Sequence, residues 1–137
     1  MEAEKLLNEY ESYRVQAEAL QKNLEMVEAS LGELEMVVKS LEEIKDQGKD
    51  NEILVPLGAD SYVSSKIIDT QKIILGIGAG VAVKKPIEDA KKDLETRIKE
   101  LTGVRKDLGE RLGLLLGRIQ ELTPRVQGIL EEAGREG

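Results

Sequence analysis

Apolar residues in the first third of the chain recur at alternating intervals of four and three residues. The pattern begins at Leu6 and continues without a break to Leu41, a span of five heptads. A repeat of 3.5 residues places one apolar stripe along a helix, and it is typical of a helix that packs lengthwise on another helix. We therefore predict a helix over residues 1–48, capped by Gly48. Its a positions are Tyr10, Ala17, Leu24, Leu31 and Val38, and its d positions are Leu6, Tyr13, Leu20, Val27, Leu34 and Leu41.

A second heptad array follows Pro86, a residue that suits the first turn of a helix. The seam residues of this array are Ile87, Lys91, Leu94, Ile98, Leu101, Arg105, Leu108, Leu112, Leu115, Ile119, Leu122, Val126, Ile129 and Ala133. Lys91 and Arg105 can lay their methylene groups on the seam and bring the charge to water. We predict a second helix over residues 86–134, with a kink at Pro124. Two helices of similar length predict the two arms of an antiparallel coiled-coil hairpin.

Three glycines, Gly109, Gly113 and Gly117, lie on the outer side of this second helix, beside Leu114 and Leu116. One interpretation is a weakly helical surface, because each glycine costs about 1 kcal/mol of helix stability relative to alanine. The other is a pliable apolar strip that touches the hydrophobic surface of another chain. Both interpretations stay open on the sequence alone.

The segment between the two arrays, residues 52–85, has a different pattern. It is rich in Ile and Val, and its turn signals divide it into four short strands near 53–57, 61–68, 72–77 and 81–84. We predict two β-hairpins between the helices, and hence an α+β fold with one domain over residues 1–137. Strands this short cannot bury both faces within one chain, so we expect them to mediate subunit assembly. The expected assembly residues are Ile53, Val55, Ile73, Ile74, Leu75, Ile77, Val81 and Val83.

Composition and charge exclude several classes of function. The chain has no His and no Cys, which removes most metal and thiol chemistry, and we expect no catalytic, cofactor or metal site. The net charge of −7 lies mainly in the first 50 residues, and clustered basic residues for nucleic-acid binding are lacking. The glycines in Gly76–Gly80 precede a strand, so they indicate a hairpin turn and not a phosphate loop. With no apolar run that could span a membrane, we expect a cytoplasmic protein.

The middle segment, ILVPLGADSYV followed by IIDTQKIILGIGAGVAVKK, closely resembles the alpha class of prefoldin subunits. Two hairpins, rather than one, distinguish the alpha class from the beta class. The resemblance implies a hexamer of two alpha and four beta subunits, in which the strands form a β-barrel platform and the coiled coils project from it. It further implies an ATP-independent co-chaperone that holds non-native polypeptides at the coiled-coil tips and passes them to a group II chaperonin.

The tips of the arms are the expected binding site for such clients. Terminal heptads lack neighbours on one side and fray, which exposes apolar groups. The candidate residues are Leu6, Leu7, Tyr10, Tyr13, Leu122, Val126, Ile129 and Leu130. Leu7 and Leu130 are the strongest of these because they occupy e positions, whereas the seam residues are also needed for ordinary packing. For the alignment of the arms, we expect Glu9 to lie near Arg125. The alternative function is a structural coiled-coil adaptor or spacer without client binding.

Overall fold

The computed structural model describes residues 1–136, and it contains two long helices separated by four strands. Helix α1 spans Glu2–Gln47, and helix α2 spans Ile87–Glu136. Between them lie β1 (Glu52–Gly58), β2 (Ser61–Lys66), β3 (Lys72–Gly78) and β4 (Val81–Pro86). The predicted fold class is therefore confirmed. The chain divides into two compact units: a distal unit of residues 1–30 together with the chain from 101 onward, and a proximal unit of residues 31–100.

The predicted heptad seam matches the buried face of both helices. In α1, every a and d residue from Leu6 to Leu41 is buried or half-buried. In α2, the same holds from Ile87 to Ile129, except for Arg105, which is exposed. Lys91, the other basic seam residue, is half-buried, and its Nζ lies 3.0 Å from the Glu42 carboxylate. That carboxylate raises the pKa of Lys91, so an opposite charge accompanies the ammonium group on the seam.

The proximal unit has a small hydrophobic core where the two helices meet the second hairpin. Its buried residues are Leu41, Leu75, Ile87, Ala90 and Leu94, and Leu34, Val38, Ile44 and Ile73 pack against them. Ion pairs flank this core: Lys45 pairs with Glu88, and Glu42 pairs with Lys91. As the α1 number falls, its partner's number on α2 rises, so the helices are antiparallel here, as predicted.

The two hairpins share one design. Each is a separate two-stranded antiparallel sheet, β1 with β2 and β3 with β4. The central turn residues have positive φ angles, 48° and 60° at Ala59 and Asp60, and 51° and 73° at Ala79 and Gly80. Positive φ at both central residues is the type I′ geometry that suits the twist of a tight hairpin. In each hairpin the pairing shifts by one residue just before the turn, so that Leu57 and Ile77 are bulged.

Two prolines lie in strands of the hairpins. Pro56 lies opposite Tyr62 directly before the register shift in β1, beside a bulge where a residue without an amide hydrogen is tolerated. Pro86 was expected in the first turn of α2, but it is the last residue of β4, and the helix begins at Ile87. The Ile87 amide donates a hydrogen bond to the Gln71 carbonyl at 2.8 Å. This bond anchors the first residue of α2 to the turn before β3. A helix that began at Pro86 would lack this anchor at its first residue, because proline has no amide hydrogen to donate.

The junctions between helix and hairpins are held by short-range hydrogen bonds. Gly48 has a φ of 79° and donates its amide hydrogen to the Ile44 carbonyl at 3.2 Å, which is the predicted left-handed helix cap. Between the hairpins, Asp69 Oδ1 accepts hydrogen bonds from the Gln71 and Lys72 amides at 2.9 and 3.3 Å. These two hydrogen bonds, of which the one from Gln71 has the larger effect, hold the pKa of Asp69 below its ordinary value.

The proximal core predicts that two leucines of α2 differ greatly in how much they contribute to the free energy of unfolding. Leu94 is 2% exposed and Leu114 is 77% exposed. We expect Leu94→Ala to lower the free energy of unfolding by about 2–5 kcal/mol, because it leaves a cavity in the proximal core. Leu114→Ala, the matched control, should change it by about 0.5 kcal/mol or less. Urea denaturation followed by circular dichroism measures both values, and equal losses would contradict this description of the core.

Candidate assembly and polypeptide-binding surfaces

The second hairpin has one face inside the proximal core and one face in solvent. Successive residues of a strand point to opposite faces, so the run Ile73-Ile74-Leu75 is divided between them. Leu75 is 8% exposed and Ile73 packs against the same core, whereas Ile74 is 75% exposed. Val83, which pairs with Leu75, is half-buried. Leu75 is covered within the chain itself, Ile73 and Val83 are partly covered, and Ile74 is exposed; an assembly role for these residues stays a prediction.

The first hairpin has apolar residues in solvent on both faces. Leu54 is 66% exposed, and Tyr62 on the same face is also exposed. Val55 and Val63 form a cross-strand pair on the opposite face, and both are exposed. The expected residue Ile53 is half-buried.

Exposed apolar residues of the hairpins include two of the expected assembly residues and four that were not expected. Ile77 and Val81, beside the second turn, are exposed, and their role in assembly stays a prediction. The four further exposed residues are Leu54, Leu57, Tyr62 and Val63. The uninterrupted apolar run around Pro56 could have indicated Leu54 and Leu57, because such runs occur in strands that are covered on both faces.

The residues expected at the tip differ widely in exposure. Leu122 and Val126 are buried in the distal unit, at 3% and 6% exposure, so they are not available while the arms are packed. Leu130 is 59% exposed. The remaining candidates are half-buried: Leu6, Leu7, Tyr10, Tyr13 and Ile129. Heptad position accounts for the contrast within α2, because Leu122 and Val126 are d and a residues whereas Leu130 is an e residue beside the seam, although Leu7, the e residue of α1, is half-buried.

A cluster around Arg118 joins the two helices in the distal unit. The Arg118 Nη2 atom lies 3.7 Å from Glu9 Oε1, and its Nη1 atom lies 2.9 Å from Glu121 Oε2. The guanidinium carbon is 6.0 Å from the centre of the Tyr13 ring, and the Tyr13 hydroxyl donates to Glu9 Oε1 at 2.9 Å. Tyr13 and Glu121 raise the pKa of Arg118. Arg118 thus contacts two carboxylates and an aromatic ring at once.

The ion-pair partner of Glu9 corrects the expected alignment. We expected Arg125 to lie opposite Glu9, but the pair forms with Arg118, one heptad earlier in α2. Arg125 instead lines an open groove together with Glu2 and Leu6. Glu9 and Arg118 both occupy g positions, and Arg118 is the partner whose side chain also reaches Tyr13 and Glu121.

The part of the chain that the structure describes contains no group of three or more His, Cys, Asp or Glu side chains placed to hold a metal ion. Within the same residues, no helix combines the length and the apolar character that a membrane span requires.

Comparison with known proteins agrees with this architecture. A profile of the Prefoldin subunit family matches residues 13–132. The chain belongs to the prefoldin subunit family. It is similar to prefoldin subunit alpha of Methanobrevibacter smithii, with 31% identity across 94% of this chain and 92% of the relative. Similarity to prefoldin subunit alpha of Pyrococcus horikoshii reaches 35% identity across 96% of this chain and 89% of that one.

A solved structure shows the same fold. The chain superposes on the cryo-EM structure of filamentous PFD from Methanocaldococcus jannaschii with a TM-score of 0.72 and 26% sequence identity. The match covers 86% of this chain and 98% of the other. With the family and the relatives, this similarity confirms the predicted resemblance and identifies the chain as a co-chaperone subunit of the alpha type.

The Arg118 cluster predicts a small, salt-sensitive contribution to stability. Its members are about half exposed, and exposed ion pairs and cation–π contacts each contribute about 1 kcal/mol or less. Arg118→Ala should therefore lower the free energy of unfolding by about 1 kcal/mol, and by less in about 1 M NaCl. Arg125→Ala is the control, since Arg125 forms no ion pair among the described residues. Equal losses for the two variants in low salt would contradict the role of the cluster.

Proposed function

We propose that the chain is the alpha subunit of a prefoldin assembly that holds non-native polypeptides at its coiled-coil tips and passes them to a group II chaperonin without ATP. The proposed assembly contains two alpha and four beta subunits and acts in the cytoplasm. The observation that carries the proposal is the exposure of apolar side chains on both hairpins, which the chain cannot cover by itself. The names of the relatives, prefoldin subunit alpha, support the assignment of the chain to the alpha class.

Two features of the hairpins support assembly: their exposed apolar side chains and their unpaired strand edges. Leu54, Tyr62 and Ile74 are each more than half exposed on strands only six or seven residues long. An isolated two-stranded hairpin is marginally stable in water, and its edges offer unpaired backbone groups to another strand. Pairing with hairpins of other subunits would cover the side chains and satisfy the edges together.

The distal unit supports client binding through Leu130 and its surroundings. Leu130 is exposed beside the seam, and Leu7 lies half-buried at the corresponding e position of α1. An unfolded polypeptide can cover such side chains without opening the seam. Buried seam residues such as Leu122 would join the surface only when the terminal heptads fray.

The assembly role predicts opposite outcomes for two neighbouring residues. Ile74→Asp should keep the fold of the chain and prevent assembly with beta subunits, because the carboxylate would be buried at the contact at a cost of several kcal/mol. Leu75→Lys should instead unfold the proximal unit, since Leu75 belongs to its core. Met36→Asp, an equally exposed apolar position on α1, is the control. Size-exclusion chromatography with light scattering gives the mass, and circular dichroism gives the fold. A normal assembly formed by Ile74→Asp would contradict the proposed contact.

Client holding predicts a loss of affinity when the two leucines at e positions of the tip become polar. The double variant Leu7→Ser with Leu130→Ser should bind a guanidine-unfolded test protein about tenfold more weakly, because covering the remaining exposed surface of the two leucines together contributes about 1.5 kcal/mol. Light scattering measures how well the assembled protein suppresses aggregation of the diluted test protein. Met36→Ser with Val37→Ser is the control, since both positions are exposed apolar residues of the proximal unit. If the protein were only a structural spacer without client binding, the wild-type protein itself would not suppress aggregation.

A further inference from the structure

The distal unit carries a methionine at the edge of an apolar groove. Met26 is a c residue of α1, and 68% of it is exposed. It lines an open groove of about 330 Å³ together with Asn23, Val27, Val104 and Leu108. Val27 and Leu108 are half-buried d residues of the two seams, and Val104 is exposed. None of the five lining side chains is charged, so the groove is a neutral, mainly apolar surface that the packing of α1 on α2 leaves uncovered.

A second methionine of the same helix has the same exposure in different surroundings. Met36 is 69% exposed, and it occupies an f position of α1 in the proximal unit. An f residue lies on the side of a helix opposite the a and d seam. The two methionines therefore offer equal access to a reagent in solution, whereas Met26 is the one that lines the groove.

Methionine is the side chain of this protein that a peroxide changes most readily. The sequence has no Cys, His or Trp, so no thiol competes for the oxidant, and its methionines are Met1, Met26 and Met36. The thioether sulfur gives an electron pair to one oxygen of hydrogen peroxide, the O–O bond breaks, and the second oxygen leaves as water. The sulfur is oxidised by two electrons and the peroxide is reduced by two. The product, methionine sulfoxide, is polar and chiral, and methionine sulfoxide reductases convert it back to methionine.

We propose that Met26 is a peroxide-sensitive modification site that controls the apolar character of this groove, and with it the holding of non-native polypeptides. The inference rests on the proposed client-holding function and adds a means of regulating it. A thioether packs readily against apolar groups of varied shape, because it is flexible and polarizable. A sulfoxide oxygen is hydrated, and an apolar client segment that covers it removes that water without replacing its hydrogen bonds. Oxidation therefore makes it less favourable to cover the groove.

The test compares the two methionines in the full chain. The purified chain is treated with hydrogen peroxide, catalase removes the remaining peroxide, and the chain is assembled with untreated beta subunits. Mass spectrometry of proteolytic peptides measures the sulfoxide at each methionine. Because Met26 and Met36 are equally exposed, we expect both to be oxidised at similar rates. Fluorescence anisotropy measures the binding of labelled α-lactalbumin that has been reduced and carboxymethylated, so that it stays unfolded without denaturant.

The expected results differ between the two positions. Oxidation of the wild-type chain should weaken binding about three- to tenfold, because the apolar contact to most of one methionine side chain is lost. Met26→Leu should keep its affinity after treatment, since leucine is apolar and has no sulfur. Met36→Leu is the matched control, and it should lose affinity on treatment as the wild-type chain does.

Two further measurements examine the groove without relying on complete oxidation. Met26→Gln places a polar amide at the groove permanently, and it should bind as weakly before treatment as the oxidised wild-type chain does. Methionine sulfoxide reductases that act on both epimers should restore the affinity of the oxidised wild-type chain. Circular dichroism checks that each variant keeps its helices.

The remaining outcomes separate this inference from the proposed function. A treated wild-type chain that carries the sulfoxide at Met26 and binds with full affinity would overturn the inference and leave client holding intact. So would protection by Met36→Leu in place of Met26→Leu, or a loss of affinity that accompanies a loss of assembly mass in size-exclusion chromatography with light scattering. An untreated wild-type assembly that does not bind the unfolded α-lactalbumin would contradict client holding, and this inference with it.

Discussion

Packing along the heptad seam is the interaction on which the rest of this structure depends. In the distal unit the buried side chains Ala17, Leu112, Leu122 and Val126 are all a or d residues. The seam is only one or two side chains wide, so each residue just beside it keeps much of its surface in solvent. A protein built in this way has little interior in which to enclose a substrate, and its useful surfaces lie on flanks, ends and attached elements. The family to which it belongs, with a co-chaperone role, fits that constraint.

The proximal unit shows how the seam also organises the strands. Ile87, Ala90 and Leu94 at the start of α2 meet Leu41 from α1, and Leu75 from β3 completes the cluster. One face of the second hairpin packs in this core and stabilises the chain, whereas Ile74 on the other face is exposed to solvent. The first hairpin has no comparable support from the helices at Leu54 and Tyr62. The two hairpins share turn and bulge geometry, yet they differ in how much apolar surface they present for assembly.

The distal unit combines a closed seam with exposed apolar side chains beside it. Buried Leu122 and Val126 keep the arms together, and the Arg118 cluster adds a contact that is weak because it is exposed to water and salt. Leu114 and Leu130 contribute little to that packing, so they are available without any opening of the coiled coil. Client binding on such a surface would not have to compete with the stability of the arm. The glycines beside Leu114 lie in open space, where added side chains would meet no other atom within 4 Å.

The sequence by itself determined the features that depend on near neighbours in the chain. The 3.5-residue repeat identified the buried side of α1 and α2. The cap at Gly48 and the turns at Ala59-Asp60 and Ala79-Gly80 followed from residue type and spacing. The middle segment identified the family. Only the tertiary structure decided which face of the Ile73-Ile74-Leu75 run is covered, that Glu9 pairs with Arg118, and that Pro86 ends a strand. These outcomes depend on which distant side chains approach one another, and a local pattern carries information about a residue's own face but not about the partner that will occupy it.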